Sequence, residues 1–256
     1  MTARAGNAPA VSVIMPAYNC EKYIEEAIRS VIGQTFTDWE LIVLDDGSSD
    51  STREIIDRIA SEDPRIVSLP NENNMGVAKT RNRGFDVSRG RYVALLDSDD
   101  VWLPEKLERQ LERLTEKQGD ICYCSYAIMD SEGNREKKDY TVPETVDFSE
   151  LLKENHIGCS TVLISRTALG EKRFLTDYYH EDYVLWLDML ADGAVAVGCT
   201  ETLVKWRFVR NSRSFNKKQS ALNRWDIYRN HLKYSRVRSF RLFAAYALRG
   251  VKKYFG

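Results

Sequence analysis

Short apolar runs alternate with longer amphipathic segments through the N-terminal part of the chain. The apolar runs contain few polar positions, so they predict strands that are buried on both faces. The segments between them repeat apolar residues at helical spacing. This alternation predicts an α/β fold with a mostly parallel central sheet and helices on both faces. The predicted strands are residues 11–15, 39–44, 65–70 and 92–96, and the predicted helices are residues 21–34, 51–60 and 76–89.

The remainder of the chain has a less regular pattern. The predicted strands there are residues 120–130, 159–165, 194–200 and 203–209, the predicted helices are 148–155 and 181–193, and residues 131–134 form a turn. The helix that begins at residue 181 is expected to end at Gly193, because glycine favours helix C-termini. We therefore expect a disordered N-terminus at residues 1–10, one α/β domain at residues 11–215, and basic amphipathic helices at residues 216–256.

Unusual residues follow three of the predicted strands. Pro16, Ala17, Tyr18 and Asn19 follow the first strand, Asp45 and Asp46 follow the second, and residues 97–100 follow the fourth. In sheets of this kind, ligands bind beyond the carboxyl ends of the strands. We therefore expect five acidic side chains and a tyrosine to lie along one edge of the sheet.

Three carboxylates lie within the four residues Asp97-Ser98-Asp99-Asp100, here called the acidic loop. Helix capping is one explanation, because Asp100 precedes a predicted helix with Pro104 in its first turn, but it accounts for one carboxylate only. Crowded carboxylates at a strand end usually hold a hard divalent cation, Mg²⁺ or Mn²⁺. The glycine and the distal glutamate of a calcium-binding EF-hand loop are missing. The acidic loop therefore predicts a magnesium or manganese site.

A cation with few protein ligands usually bridges the phosphate groups of a ligand. The chain has neither a G-x-x-x-x-G-K-[ST] nor a G-x-G-x-x-G pattern, which argues against P-loop and dinucleotide-binding enzymes. These observations predict a nucleoside diphosphate ligand. Asp45 or Asp46 would accept hydrogen bonds from the base and the ribose, and Tyr18 would stack on the base. A polar turn is the alternative explanation for residues 45–48.

Glu181 and Asp182 begin the predicted helix in the segment YYHEDYVLWLDML. Helix N-termini favour acidic residues, so one explanation is that both complement the helix dipole. The surrounding aromatic residues would raise the pKa of a carboxyl group, which suits a general base. The residues themselves leave both explanations open.

Four stretches, taken in order and at their spacings, resemble the family 2 glycosyltransferases. They are VSVIMPAYNCEKYIEEAIRSVIGQTFTDWELIVLDDGSSDST, NMGVAKTRNRG, YVALLDSDDVWLPEKL and HEDYVLWL, and the resemblance covers roughly residues 11–215. It implies the GT-A fold, with a Rossmann-like nucleotide half (about 11–103) and a smaller acceptor half (about 104–215). It also implies an inverting, metal-dependent transfer from a nucleotide diphosphate sugar, with UDP as the expected nucleotide. The implied setting is bacterial capsule, O-antigen or exopolysaccharide assembly, with a lipid-linked saccharide acceptor and a β-linked product.

The resemblance also implies roles for individual residues. Asp182 corresponds to the catalytic base, and Asp97-Ser98-Asp99 corresponds to the D-x-D motif. Within this motif, Asp99 is the expected metal ligand, and Asp97 is expected near the ribose and the metal. The expected nucleotide contacts are Pro16, Ala17, Tyr18, Asp45, Asp46, Lys79, Arg81, Asp97 and Ser98.

Residues 210–218, RNSRSFNKK, resemble a basic loop that closes over the diphosphate, which implies contacts from Arg213 and Lys217. The chain has no Q-x-x-R-W motif, the acceptor motif of processive synthases. Its absence favours the transfer of a single sugar.

The net charge of −1 conceals a separation of charge along the chain. Residues 203–256 contain 15 Lys and Arg and one acidic residue, Asp226, which gives this part a charge near +14 and the rest near −15. Such a split suggests that the tail meets an anionic surface. Nucleic acid is not the expected partner, because no nucleic-acid-binding module is recognisable.

The last predicted helix is amphipathic. On a helical projection one face carries Phe240, Phe243, Ala247, Val251 and Tyr254, and the opposite face carries arginines and lysines. This apolar face could pack on the body of the protein, or it could lie in the anionic cytoplasmic leaflet of a membrane.

Other features of the composition indicate the cell compartment. No uncharged run approaches the roughly 18 residues of a membrane span, and the N-terminus lacks the apolar segment of a signal peptide. The five cysteines include no C-x-x-C pair, which favours reduced thiols. We expect a cytoplasmic enzyme that could lie peripherally on the inner face of the cell membrane.

Two rival functions share parts of this pattern. A nucleotidyltransferase would also use metal-binding carboxylates, but the glycine-rich phosphate loop expected near its first strand is missing. A non-catalytic sugar-nucleotide-binding protein would be expected to lack one of the motifs, and all of them are present.

Overall fold

The computed structural model describes residues 8–136, 138–208 and 217–255. Within these residues the chain forms a nine-stranded sheet that carries helices on both faces. The strands are β1 (Val11–Ala17), β2 (Trp39–Asp45), β3 (Ile66–Pro70), β4 (Tyr92–Leu95), β5 (Val101–Trp102), β6 (Ile121–Met129), β7 (Thr145–Val146), β8 (Leu163–Ser165) and β9 (Ala196–Arg207). The helices are α1 (Ile24–Ile32), α2 (Thr52–Glu62), α3 (Val77–Val87), α4 (Lys106–Lys117), α5 (Phe148–Lys153), α6 (Arg166–Leu169), α7 (Glu181–Ala191), α8 (Lys217–Asp226) and α9 (Arg236–Phe255).

The strand order is β3-β2-β1-β4-β8-β6-β9-β5, with β7 paired to β9. Pairing is parallel from β3 to β4 and between β6 and β9, and the remaining pairs are antiparallel. The predicted α/β fold with a mostly parallel sheet is thereby confirmed. Because β5 pairs with β9, the sheet passes through both the predicted nucleotide half and the predicted acceptor half.

The first four strands are largely apolar because each contributes side chains to two cores. In β1, Val13 and Met15 face the core formed with α1, α2 and α4, whereas Ile14 faces the core formed with α3, α5 and α7. Helix α3 crosses the sheet closely at Gly84, where a Cβ atom would lie 2.4 Å from Ile14 Cγ2. This close approach fixes the position of α3 above the strands.

The part of the chain after residue 104 departs from the predicted elements in two places. Residues 159–165 are not one strand, because a 3-10 helix at Cys159–Thr161 precedes β8. Residues 194–200 and 203–209 were predicted as two strands, but β9 runs unbroken from Ala196 to Arg207. A shift of register against β6 takes the place of the predicted interruption.

Helix α9 packs on the body through a face that only partly matches the predicted one. Phe243 turns inward and packs against Trp225, with ring centroids 5.9 Å apart. Arg249, which was predicted on the opposite polar face, forms an ion pair with Glu150 of α5. Phe240 was predicted beside Phe243, but it is 66% exposed. The contacts with α5 and Trp225 thus decide which side of α9 faces the body.

The predicted disordered N-terminus falls largely outside the described residues. Ala10 is already part of the fold, because its N–H donates to Asp38 Oδ2 at 3.1 Å and its carbonyl accepts from Tyr92 N at 2.9 Å. Ala10, which was predicted within the disordered segment, therefore belongs to the fold.

Candidate active site

A cavity of about 880 Å³ opens at the carboxyl ends of β1, β4 and β6. Its walls come from both halves of the chain, including the start of α7 and the end of β9. The predicted site residues that line it are Pro16, Ala17, Tyr18, Asp46, Arg81, Asp97, Ser98, Asp99 and Asp182. The fold thus gathers in one space residues that lie up to 166 positions apart in the sequence.

Two of the predicted nucleotide contacts lie outside the cavity lining, and the structure gives a reason for each. Asp45 is buried, and its carboxylate accepts from Ser48 N at 3.2 Å, as the polar-turn alternative proposed. Lys79 is exposed on α3, because a helix turns by about 200° over two residues and Arg81 already faces the cavity. Arg213 lies outside the described residues, and only the backbone of Lys217 is described, as the first residue of α8.

The carboxylate of Asp46 is held by the loop that leads into α3. Its Oδ1 accepts from Asn71 Nδ2 at 2.6 Å and from Met75 N at 2.9 Å, and its Oδ2 accepts from Gly76 N at 2.9 Å. Oδ2 retains acceptor capacity for a ligand, because a carboxylate oxygen can accept two hydrogen bonds. Tyr18 lies on the rim of the same region and is 51% exposed.

The three carboxylates of the acidic loop have three different environments. Asp97 accepts from Arg81 Nη2 at 2.5 Å. Asp100 is buried and accepts from Ser160 Oγ at 2.5 Å and from Arg207 N at 2.8 Å. Asp99 is partly exposed to the cavity, and burial together with the negative charge of Asp97 raises its pKa to about 6.

Asp100 is therefore not the helix cap that the sequence suggested. The short strand β5 follows it directly, and Glu105 occupies the N-cap position of α4. Burial beside other carboxylates raises the pKa of Asp100, and its oxygens are used by Ser160 and Arg207. Of the three carboxylates, Asp100 is therefore the one with a structural role in the site.

Arg81 is buried between two carboxylates from different elements. Its Nη1 lies 2.8 Å from Glu181 Oε1 on α7, and its Nη2 lies 2.5 Å from Asp97 Oδ1. The side chains of Arg81 and Glu181 are 6% and 5% exposed, so this ion pair is shielded from water. Arg81 was predicted as a nucleotide contact, and the structure shows in addition that it connects α3, the acidic loop and α7.

Asp182 is partly exposed and lines the cavity one residue after the buried Glu181. The start of α7 is held by α8, since His180 N donates to Asn223 Oδ1 at 3.0 Å and His180 Nε2 lies 3.0 Å from Ser220 Oγ. Adjacent acidic residues therefore have different surroundings. Glu181 forms an ion pair inside the protein, and Asp182 faces the space where a ligand would bind.

Sequence reasoning missed Arg207, a buried residue at the end of β9. Its Nε donates to Asp99 O at 2.8 Å, and its Nη2 lies 2.5 Å from Glu26 Oε2 on α1. With its N–H bound to Asp100, Arg207 fixes the backbone of the acidic loop. No sequence signal identified it, because its partners come from distant parts of the chain.

The sequence also gave no indication of the aromatic side chains at the β6–β9 end of the cavity. Tyr126, Tyr140, His156 and Trp206 all line this part. They come from β6, β9 and two connecting segments, and only the fold brings them together.

The carboxylates of the acidic loop fit a divalent cation that is also coordinated by the phosphate groups of a ligand. Among the residues that the structure describes, no group of three or more His, Cys, Asp or Glu side chains is arranged to hold a metal ion alone. Asp97 and Asp99 nevertheless offer carboxylate oxygens in the cavity. Mg²⁺ is commonly held by one or two carboxylates together with substrate phosphates, so these residues fit such a cation.

The chain matches the family model described as "Glycosyl transferase family 2" over residues 12–174. It is 38% identical over 245 residues to TuaG of Bacillus subtilis, a glycosyltransferase whose name assigns it to teichuronic acid biosynthesis; the match covers 96% of this chain and 97% of TuaG. It is 37% identical to WfgD of Escherichia coli, named a UDP-Glc:alpha-D-GlcNAc-diphosphoundecaprenol beta-1,3-glucosyltransferase, over 95% of this chain and 94% of WfgD.

Solved structures share the fold at lower sequence identity. Residues 1–349 of the S. aureus protein TarS, in complex with UDP-GlcNAc, superpose with a TM-score of 0.72 at 19% identity, covering 94% of this chain and 72% of the 1–349 chain. The mannosyltransferase PcManGT of Pyrobaculum calidifontis, in complex with GDP-Man and Mn²⁺, gives a TM-score of 0.70 at 17% identity, covering 93% of this chain and 69% of PcManGT. The GT-A fold expected from the sequence is thus confirmed.

The buried ion pair generates a prediction about stability. Glu181→Gln should lower the free energy of unfolding by about 3 kcal/mol, because it removes one of the two charges that compensate the buried Arg81. Denaturant unfolding followed by circular dichroism measures this change. The control is Glu112→Gln, which removes an exposed ion pair with Arg109 and should change stability little. Equal, small effects of the two substitutions would contradict the assigned importance of the Arg81–Glu181 pair.

Proposed function

Because the chain belongs to glycosyl transferase family 2, we propose that it transfers a single sugar from a UDP-sugar to a hydroxyl group of a saccharide acceptor, with inversion at the anomeric carbon. The observation that carries this proposal is the shared cavity. It brings Tyr18 and Asp46, the acidic loop, and Asp182 into one space that is large enough for a ligand. Family membership argues against a nucleotidyltransferase, and the relatives named as glycosyltransferases argue against a non-catalytic binding protein.

The donor is proposed to bind at the β1–β2 end of the cavity. Tyr18 stacks on the base, Asp46 accepts from the base or the ribose, and Pro16, Ala17 and Ser98 line the space around them. UDP is proposed as the nucleotide because two Escherichia coli relatives, WfgD and WfaP, are named as enzymes that use UDP-Glc. Arg213 and Lys217 remain proposed contacts of the diphosphate, by resemblance alone.

Asp97 and Asp99 are proposed to hold a Mg²⁺ or Mn²⁺ ion together with the donor diphosphate. Bound there, the cation would offset the negative charge that the diphosphate gains as it leaves. Neighbouring residues hold the acidic loop and its carboxylates in position. Arg207 and Ser160 hold the backbone and Asp100 in position, and Arg81 orients the carboxylate of Asp97.

Asp182 is proposed as the general base. Its carboxylate takes the proton of the acceptor hydroxyl while the oxygen forms a bond to the anomeric carbon. The bond from that carbon to the diphosphate oxygen breaks in the same displacement, and the bonding pair leaves with the diphosphate. One displacement inverts the anomeric centre, so an α-linked donor gives a β-linked product. The buried Glu181–Arg81 pair holds the first turn of α7 and thereby positions Asp182.

The acceptor is proposed to be a lipid-linked saccharide, in the assembly of a cell-surface polysaccharide. WfgD and WfaP are both named for acceptors with a diphosphoundecaprenol group. Such an acceptor would require the enzyme to work at a membrane surface. No helix within the described part of the chain is both long enough and apolar enough to span a bilayer.

The outer face of α9 is proposed to contact the anionic cytoplasmic leaflet, on the inner side of the cell membrane. Val237, Phe240 and Leu248 are 64%, 66% and 72% exposed on this face. The exposed side chains of Arg236, Arg238 and Arg241 lie on the same helix. Apolar side chains flanked by arginines suit the interface of an anionic bilayer.

Replacing the proposed base should affect turnover and spare donor binding. Asp182→Asn should lower single-turnover transfer by about 10²–10⁴, because a positioned base typically contributes this much. Titration with a UDP-sugar should give nearly unchanged donor affinity. Asp192→Asn is the matched control, since Asp192 follows the same helix, is exposed and lies outside the cavity lining. Near-normal transfer by Asp182→Asn would place the base elsewhere.

Replacing the proposed metal ligand should weaken donor binding as well as transfer. Asp99→Asn removes a charge that faces the cavity, so calorimetry should show a loss of the Mn²⁺-dependent part of UDP affinity. Transfer should fall with it, and the circular dichroism spectrum should stay unchanged. Asp130→Asn serves as the control, because Asp130 binds its own turn outside the cavity. UDP affinity that still rises with Mn²⁺ in Asp99→Asn would exclude Asp99 as the ligand.

The membrane proposal is tested by removing apolar side chains from α9. The double variant Phe240→Ser with Leu248→Ser should sediment less with liposomes that contain phosphatidylglycerol, while transfer to a water-soluble acceptor is kept. High salt should also release the unaltered protein, because its arginines would be screened. Val195→Ser is the control, since Val195 is 47% exposed and lies just before β9, outside α9. Equal sedimentation of all variants would contradict the proposal.

A further inference from the structure

We propose that three aromatic side chains, Tyr126, Tyr140 and Trp206, form an acceptor-binding wall that stacks against a pyranose ring. These residues are called the aromatic wall below. The inference rests on the proposed sugar transfer and adds to it the place and the chemical class of acceptor recognition. None of the three residues belongs to the proposed donor contacts, metal ligands or general base.

The rings of the aromatic wall are adjacent. The ring centroids of Tyr126 and Tyr140 are 5.1 Å apart, with an interplanar angle of 30°. Those of Tyr126 and Trp206 are 6.2 Å apart, with an angle of 64°. All three side chains are partly exposed and line the cavity, so their ring surfaces border the space where a ligand binds.

A shift of register between β6 and β9 creates this cluster. Cys124 pairs with Cys199, and Tyr126 pairs with Val204, so β6 advances by two residues while β9 advances by five. The three additional residues of β9 are an odd number, which reverses the face on which its later side chains lie. Trp206 therefore shares the face of Tyr126, whereas an uninterrupted pairing would have placed it on the other face.

Tyr140 is fixed by both its backbone and its hydroxyl group. It pairs with Tyr126 through two backbone hydrogen bonds, of 3.1 and 2.9 Å. Its hydroxyl donates to Glu154 Oε1 at 3.0 Å and lies 2.9 Å from His156 Nδ1. A wall held in this way is preorganised, so little conformational freedom is lost when a ligand binds.

The location of the aromatic wall suits the acceptor and not the donor base. The wall belongs to β6 and β9, and Tyr18 follows β1, which lies three strand positions from β6. At the spacing of neighbouring strands this separation is roughly 14 Å. The acidic loop lies between the two ends, and Arg207, the neighbour of Trp206, binds the carbonyl of Asp99. An acceptor on the wall would therefore lie on the far side of the acidic loop from the nucleotide.

The chemistry of the wall fits a sugar ring. One face of a pyranose presents C–H groups that pack on aromatic rings, and its hydroxyl groups require hydrogen-bonding partners. Asn155 and His156 line the cavity beside the rings and supply polar groups there. An alkyl chain would make no use of these polar neighbours, so we commit to the sugar and treat a lipid chain as an outcome of the test.

The experiment measures binding of methyl glycosides of N-acetylglucosamine, glucose and galactose by saturation-transfer NMR, with UDP and Mg²⁺ present. At least one glycoside should receive saturation at its ring C–H protons from the unaltered protein. Trp206→Leu and Tyr126→Leu should each weaken its binding by about tenfold, the size expected for a lost aromatic stack. Trp206→Phe should retain most of the affinity because it keeps an aromatic face. Circular dichroism checks that each variant is folded.

The donor-side control is Tyr18→Leu, which should weaken UDP binding and leave glycoside binding unchanged. The proposal is overturned if no glycoside binds, if folded wall variants keep full glycoside affinity, or if only an alkyl probe, decyl phosphate, depends on the wall. These binding measurements do not require turnover. If glycosides bind the wall and the unaltered protein transfers no sugar from any UDP-sugar, the proposed function fails and the wall stands. If transfer occurs and the wall variants bind glycosides normally, the wall proposal fails alone.

Discussion

The double ion pair of Arg81 is the interaction on which the arrangement of the site depends. A single buried guanidinium contacts Asp97 beyond β4 and Glu181 at the start of α7. Attraction between such charges is strong where water is excluded, and separating either pair would leave an uncompensated charge in the interior. The acidic loop and the helix that carries Asp182 are therefore held at a fixed relative position, although Asp97 and Glu181 lie 84 positions apart in the chain.

The three aspartates of the acidic loop differ in role because their surroundings differ. Asp100 is enclosed and binds Ser160 and Arg207, so it stabilises the loop. Asp97 is oriented by Arg81. Asp99 is left facing the cavity with its pKa raised to about 6, because it is poorly solvated and lies near another carboxylate. A carboxylate in this environment gains most from an added cation, which is consistent with the proposed metal role.

The strand order gives the cavity two chemically different ends. The parallel strands β1, β2 and β4 bring polar and acidic residues to one end, and β6 and β9 bring aromatic rings to the other. A transferase must hold two substrates in line, and much of its rate advantage comes from such positioning. Since both ends belong to one sheet, rigid backbone fixes the distance between them. The proposed acceptor wall and donor site follow from this layout.

The sequence by itself determined the α/β fold, the family and most of the cavity-facing carboxylates, because apolar strands and the residues after them are local patterns. It predicted Tyr18, Asp46, Asp97, Asp99 and Asp182 in one site, and all of them line the cavity. Tertiary structure decided that Asp45 and Lys79 lie outside the cavity lining and that Glu181 forms a buried ion pair, because burial and ion pairing depend on distant partners. Only tertiary structure could reveal Arg207 and the aromatic wall. A register shift of three residues decides the face on which Trp206 lies. No local sequence pattern specifies which strands pair or in which register.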